Sequence, residues 1–207
     1  MRFPTVALVA ALIAAQAPGA LAAEAVGSVE RVQSEAFATN AEGERRLAPG
    51  AAIFADDRLA TGAESRLEVV FSDGTSLILG ADGAIAIAEY AFDGTGGTSS
   101  FAVLSGAFAF ASGVIGENDP DDVLVTTPVA TIGIRGTQFW GGRLEGTFGV
   151  LVLEGAVEVM TRGGSVLLDE VGEGTDIASS EAAPGAPRQW GDAKKERALA
   201  TIAFTEE

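Results

Sequence analysis

The chain contains neither histidine nor cysteine. These two absences exclude Ser-His-Asp and Cys-His catalysis, zinc sites built on His or Cys, haem and iron–sulfur ligation, and disulfides. Lysine occurs only at Lys194 and Lys195, so a Ser-Lys dyad would have to take its base from a polar tail. Aromatic residues make up 7% of the 207, too few for a sugar-stacking platform. Positive charge is scarce as well: 13 Lys and Arg stand against 29 Asp and Glu, a net charge of −16 that repels nucleic acid and anionic membrane surfaces. Acidic pairs are unavoidable at this composition, so paired carboxylates do not point to a glycosidase. The densest acidic run, Glu117–Asp122, lacks the spacing of a calcium loop and reads as solvated. No catalytic residue, cofactor or metal site is expected. The remaining material for a core is Val, Ile, Leu and Ala, punctuated by 27 glycines.

The most apolar run lies at the start. Arg2, an apolar stretch from Val6 to Ala17, the Pro18-Gly19 break and the small residues Ala20-Leu21-Ala22 read as a signal peptide over residues 1–22. The apolar run is shorter than the roughly 20 residues of a spanning helix. Cleavage after Ala22 would place the mature chain in the periplasm or outside the cell, one unit more negative. No later stretch is expected to enter a membrane.

Residues 23–178 read as an all-β domain of many short strands. Period-two alternation is clear in Arg66–Phe71, Ser76–Leu79, Ala84–Ala88 and Ala107–Ala111. Asp73-Gly74 supplies the positive φ of a tight turn between two of these runs. Ser105-Gly106 and Glu154-Gly155 read as further hairpins, and the second makes Thr147–Met160 an echo of Arg66–Leu79. Residues 179–191, opening with Ser179–Arg188, read as a flexible linker. Residues 192–207 read as a short amphipathic helix and tail, with Asp192 as N-cap.

The most informative run is Thr126-Thr127-Pro128-Val129-Ala130-Thr131-Ile132-Gly133-Ile134-Arg135-Gly136-Thr137-Gln138-Phe139. Pro128 lacks an N–H and belongs at a strand start. Gly133 and Gly136 allow a bulge or a close backbone approach. Ile132 and Ile134 share one face, and Arg135 takes the other. A guanidinium among small and apolar residues calls for a carboxylate, with Asp56, Asp57 and Glu154 as candidates for a structural clamp. An anionic ligand or a partner carboxylate is the alternative. Phe139-Trp140 before Gly141-Gly142 would expose an aromatic at a turn or pack it in the core, and Trp140 is the candidate for an interaction surface.

This run resembles the hallmark of the FecR domain: Thr127-Pro128, an alternating segment with Gly133, then Arg135-Gly136-Thr137-x-Phe139. Val26-Gly27-Ser28-Val29, Asp57–Gly62, Ser65–Leu79, Phe101–Phe110 and Val152–Val159 resemble further family elements in the expected order. The resemblance implies stacked, solenoid-like sheets, with a β-sandwich as the alternative. It also implies a free-standing exported domain that works without catalysis, in envelope sensing, signalling or protein interaction. Another envelope protein is the expected partner, and the oligomeric state is left open. A binder of cell-wall or surface polysaccharide is the alternative function.

Overall fold

The computed structural model describes residues 24–205. The expected signal peptide lies outside them. The chain first forms β1 (Ala25–Gln33), β2 (Ala36–Asn40), β3 (Gly43–Arg46), β4 (Ala52–Phe54), β5 (Arg58–Thr61) and β6 (Arg66–Phe71). Then come β7 (Ser76–Leu79), β8 (Ala84–Phe92), β9 (Gly97–Ser105), β10 (Phe108–Ala111) and a one-turn helix α1 (Val114–Asn118). The remainder is β11 (Val123–Thr126), β12 (Thr131–Leu144), β13 (Thr147–Thr161), β14 (Gly164–Leu168), β15 (Glu173–Ile177), β16 (Arg188–Gln189) and α2 (Asp192–Ala200). The all-β class and the short C-terminal helix follow the sequence reading.

All these strands join one curled sheet, ordered β3-β2-β5-β8-β9-β11-β12-β10-β7-β6-β1-β4, with β13 to β16 branching from β12. Two strands sit on the same side of β12. β11 pairs with its first residues, Thr131–Gly133, and β10 pairs with Gln138–Gly141. β12 therefore belongs to both halves of the sheet, and β13 follows it along the opposite side. The halves close face to face. Phe71 of β6 meets Phe101 of β9 edge-on at 5.0 Å, and Phe101 meets Phe110 of β10 at 5.4 Å. Period-two alternation decides which residues enter this core: Leu67, Val69 and Phe71 from β6, Leu77 and Leu79 from β7, Ile85 and Ile87 from β8 are all buried. Each such side chain contributes about 1.5–3 kcal/mol on burial.

Three sequence expectations are corrected. Ser105-Gly106 does not close a hairpin, because β9 pairs with β8 and β11 while β10 pairs with β7 and β12. It is a corner that carries the chain from one half of the sheet to the other. Glu154-Gly155 lies inside the continuous strand β13, so the expected echo is absent; the hairpin is at Glu145-Gly146, where both residues take positive φ. Residues 179–191 are tied down rather than loose. Arg162 N–H donates to Ser180 O at 2.9 Å, Gly185 N–H to Asp176 O at 3.0 Å, and β16 pairs with β15.

A second, smaller cluster covers the outer face of the β12–β10–β7 half. Trp140, Leu151, Trp190, Ala198 and Ile202 are buried together. The helix α2 docks here with Gly191, not Asp192, at its N-cap, and Asp192 opens its first turn.

One ion pair has a fully buried carboxylate, Asp57 before β5, with a half-buried arginine as its partner. Asp57 accepts a bidentate pair from Arg45, a bond from Asn40 Nδ2 at 3.0 Å and the Phe54 N–H at 2.8 Å. Arg45 also donates to Ala52 O at 3.1 Å. The pair fastens the charged edge hairpin β2–β3 to the turn between β4 and β5. Arg45→Ala leaves Asp57 with only Asn40 and the Phe54 N–H. The expected cost is about 3 kcal/mol, the low end for a broken buried pair, read as a shifted urea midpoint with unchanged slope.

Candidate functional site

The Thr-Pro end of the signature forms the turn between β11 and β12. The Thr127 hydroxyl donates to Ala130 O at 2.9 Å and accepts the N–H of Ala130 at 2.9 Å and of Val129 at 3.3 Å. Pro128 needs no acceptor, and it stands exposed at the tip with Val129 half-buried beside it. Gly133 lies in a regular ladder between Leu124 and Glu158. A Cβ there would make ordinary contact, 3.8 Å from Met160 Cε. The expected bulge or close approach at Gly133 is therefore not found.

The bulge is at Gly136, where φ is +56° and the register against β13 slips between Arg135 and Gln138. Opposite it, Gly155 takes φ +71°, and a Cβ on Gly155 would collide with the Gly136 carbonyl oxygen. Both long strands turn from one half of the sheet into the other at this point. The main-chain groups that the bulge unpairs are met by Thr137, which is buried. Its hydroxyl donates to Ala156 O at 2.6 Å and accepts the N–H of Ala156 and of Arg135, each at 3.2 Å. Its own N–H donates to Ser112 Oγ at 2.8 Å, and its carbonyl accepts the Ser112 N–H at 3.0 Å. Every polar atom of Thr137 is used, which explains a Thr after Arg-Gly.

Arg135 is not the clamp that the sequence suggested. Its side chain is exposed, and no ion pair reaches it among the described residues. Asp57 is taken by Arg45, and Glu154 stands across the bulge from Gln138. Phe139 and Trp140 part to opposite faces. Phe139 enters the main core 5.7 Å from Phe108. Trp140 is fully buried under α2, 6.0 Å from Trp190, with Nε1 donating to Thr201 Oγ1 at 3.0 Å. It offers no surface to a partner, because α2 covers the face on which it lies.

Asp73 does more than turn the chain. Gly74 takes φ +86°, as the turn requires, but Asp73 itself is buried. Its carboxylate accepts the Thr75 N–H at 3.0 Å, the Thr75 hydroxyl at 2.8 Å and the Tyr90 hydroxyl at 3.0 Å. Its carbonyl accepts the Val114 N–H at 2.9 Å. The turn thus ties β6–β7 to β8 and to α1. Burial, followed by the charge of Asp73, pushes the Tyr90 phenol well above its ordinary value.

The concave surface next to the signature opens where β11 ends and the two sheet halves part. It is a groove of about 540 Å³ walled mainly by Val103, Leu104, Ala107, Pro128, Val129 and Phe148, with Arg66 and Arg143 at its margin. The sequence reading missed these arginines. Their positions, far apart along the chain, gave no local signal, and only the curl of the sheet brings them to one cleft. Among the described residues, no group of Asp and Glu is arranged to hold a metal ion.

Two outcomes test this account. Thr137→Val keeps the shape and removes the hydroxyl, and it is expected to cost about 2 kcal/mol, as for an unsatisfied buried main-chain group. Arg135→Ala is expected to stay within about 0.5 kcal/mol of the parent, as exposed positions do. Thermal melts distinguish the two, and equal losses would reverse the assignment. Tyr90 is the only tyrosine, so phenolate absorbance reports on it alone. Above about pH 10 the unfolded chain releases this proton and the folded chain keeps it, so stability falls as pH rises from there. A folded chain that ionises at the ordinary tyrosine value would contradict the burial of the phenol against Asp73.

Comparison with known proteins agrees with this architecture. Two crystal structures of a "putative anti-sigma factor" from Parabacteroides distasonis ATCC 8503, at 2.50 and 1.65 Å, share the fold with TM-scores of 0.53 and 0.51, each at 18% identity. The similarity covers 69% of this chain and 63% and 64% of those chains, so this chain spans less than two thirds of their length. No curated protein matches it. Residues 57–158 match the family model described as FecR protein. That span is narrower than the resemblance read from the sequence, and it begins at the buried Asp57 and ends within β13. The bulge of the β12–β13 pair, the Thr137 hydroxyl and the Asp73-Gly74 turn all lie within it, and the chain carries a FecR domain.

Proposed function

We propose that the chain is an exported, non-enzymatic FecR-domain protein that serves envelope sensing or signalling by holding another envelope protein. The observation that carries this reading is the FecR domain together with an open groove beside its Thr127-Pro128 turn. The similarity to proteins described as anti-sigma factors supports a regulatory role, and the leader at residues 1–22 supports export to the periplasm or beyond. No helix among the described residues is long and apolar enough to cross a membrane. The net charge of −16 speeds encounter with basic partners at low salt. The polysaccharide alternative loses its support, since Trp140 and Trp190 are both buried.

The test uses a tagged full-length chain in bacterial cells. Mass spectrometry of the exported product is expected to show a chain starting at Ala23. A photo-crosslinking residue at Val129 is expected to give a discrete protein adduct, whereas the same residue at Glu42, in the turn between β2 and β3, gives none. A chain that stays uncleaved in the cytoplasm, or one that sediments with peptidoglycan and yields no protein adduct, would overturn the reading.

A further inference from the structure

The groove beside Pro128 has a charge that its surroundings do not explain. The domain is strongly acidic, and seven ion pairs occur among its described residues. Neither Arg66 nor Arg143 takes part in any of them. Arg143 donates to Gly146 O at 3.0 Å, within its own hairpin, and Arg66 donates through Nη1 to Ser65 O at 2.7 Å. The Nε–H of Arg66 is buried with no acceptor. That nitrogen is out of a ligand's reach, but a guanidinium that no carboxylate holds is matched best by a carboxylate at its remaining N–H groups. Asp82, the one acidic residue on the wall, bonds with neither arginine; its main-chain carbonyl accepts the Ser105 hydroxyl at 2.9 Å.

The rest of the wall is apolar, and one side of it is an open strand edge. β11 runs beside β9 only as far as the pair Thr126 and Ala102. Beyond Ala102, residues Val103 to Ser105 pair with β8 alone, and no main-chain bond outside the sheet ladders uses their other edge. Leu104 is 39% exposed there, unusual for a leucine beside a core. An extended chain laid along this edge would find main-chain partners, apolar contacts with Val103, Val129 and Phe148, and two guanidinia that no carboxylate holds. A fatty acid would use the apolar wall and the charge and leave the edge unused.

We infer that the groove binds the apolar C-terminal end of a partner polypeptide, with its free carboxylate received by Arg66 and Arg143. The inference rests on the reading of the chain as a domain that captures protein, and it names the chemistry captured. It also reverses the expectation from net charge, because the partner's contacting end is anionic even where its body is basic.

The probe is a pool of acetylated tetrapeptides, randomised over Ala, Val, Leu and Phe, with a free C-terminal carboxylate. The same pool amidated at the C-terminus and decanoate serve as comparators. The purified full chain is expected to retain members of the acid pool at least ten-fold better than their amides and better than decanoate. Arg143→Gln, at an exposed position, is expected to weaken retention ten-fold with an unchanged melting temperature, and Arg66→Gln to do the same. Equal retention of acid and amide, stronger binding of decanoate, or indifference to both substitutions would overturn the inference. A chain that forms its protein adduct at Val129 yet retains neither pool overturns the groove assignment alone. A chain that retains the acid pool yet forms no adduct overturns the capture reading alone.

Discussion

The hydroxyl of Thr137 sits at the point on which the rest of the architecture turns. A sheet this long must curl to bury one face, and the curl is concentrated where β12 and β13 bulge together. A double bulge frees main-chain donors and acceptors in the interior, and a buried unpaired group there would cost about as much as a core cavity. Thr137 and Ser112 take up those groups between them. Gly136 and Gly155 supply the positive φ and the space, and Ile132 and Ile134 before the bend, like Phe139 after it, keep their faces toward the same core. Arg-Gly-Thr is therefore a bend motif, to which Arg135 lends its main-chain N–H while its side chain stays exposed outside the bend.

Charge is distributed along the same lines. One carboxylate–guanidinium pair, the buried Asp57 with the half-buried Arg45, joins an edge hairpin to the domain. Asp73 is buried without a cation and is satisfied by hydroxyls and N–H groups. Neutral donors hold a carboxylate within a protein interior at a smaller desolvation cost than an ion pair imposes. Among the described residues, six of the other cations form surface pairs, Arg46, Arg58 and Arg135 form none and stand away from the groove, and Arg66 and Arg143 line it. What sets the cleft apart is that two arginines that no carboxylate holds line one concave and mainly apolar surface, although 29 acidic residues are available.

Much of the fold was legible in the residues. Alternation placed Leu67, Val69, Phe71, Ile132 and Ile134 inward, and Asp73-Gly74 marked a turn. The Glu-Gly pairs show where reading fails. Glu145-Gly146 closes the hairpin and Glu154-Gly155 does not, although the dipeptides are identical. In the first, both residues take positive φ, and in the second only the glycine does. The choice is made by the partner strand, which lies outside any local window. Arg135 was misread for the same reason. The motif suggested a charged clamp, but whether a guanidinium is paired depends on which loops the curl brings near, and Asp57 was already taken by an arginine from a charged edge strand. The groove was invisible because its walls come from β6, β9, the corner after it, the turn before β12, β12 and β13, and no stretch of sequence carries more than a fragment of it.

The topology also sets an order of events. Strands of the two sheet halves interleave along the chain, β1, β4, β6, β7 and β10 in one and β2, β3, β5, β8, β9 and β11 in the other, and β12 is the strand that belongs to both. A polypeptide emerging from its N-terminus cannot join its halves into one sheet until residues beyond Thr131 are out. Contacts as distant as Gln33 with Thr205 wait longer still. Such non-local pairing slows folding and leaves the early strands open in the interval. The chain therefore stays slack until β12 has been made.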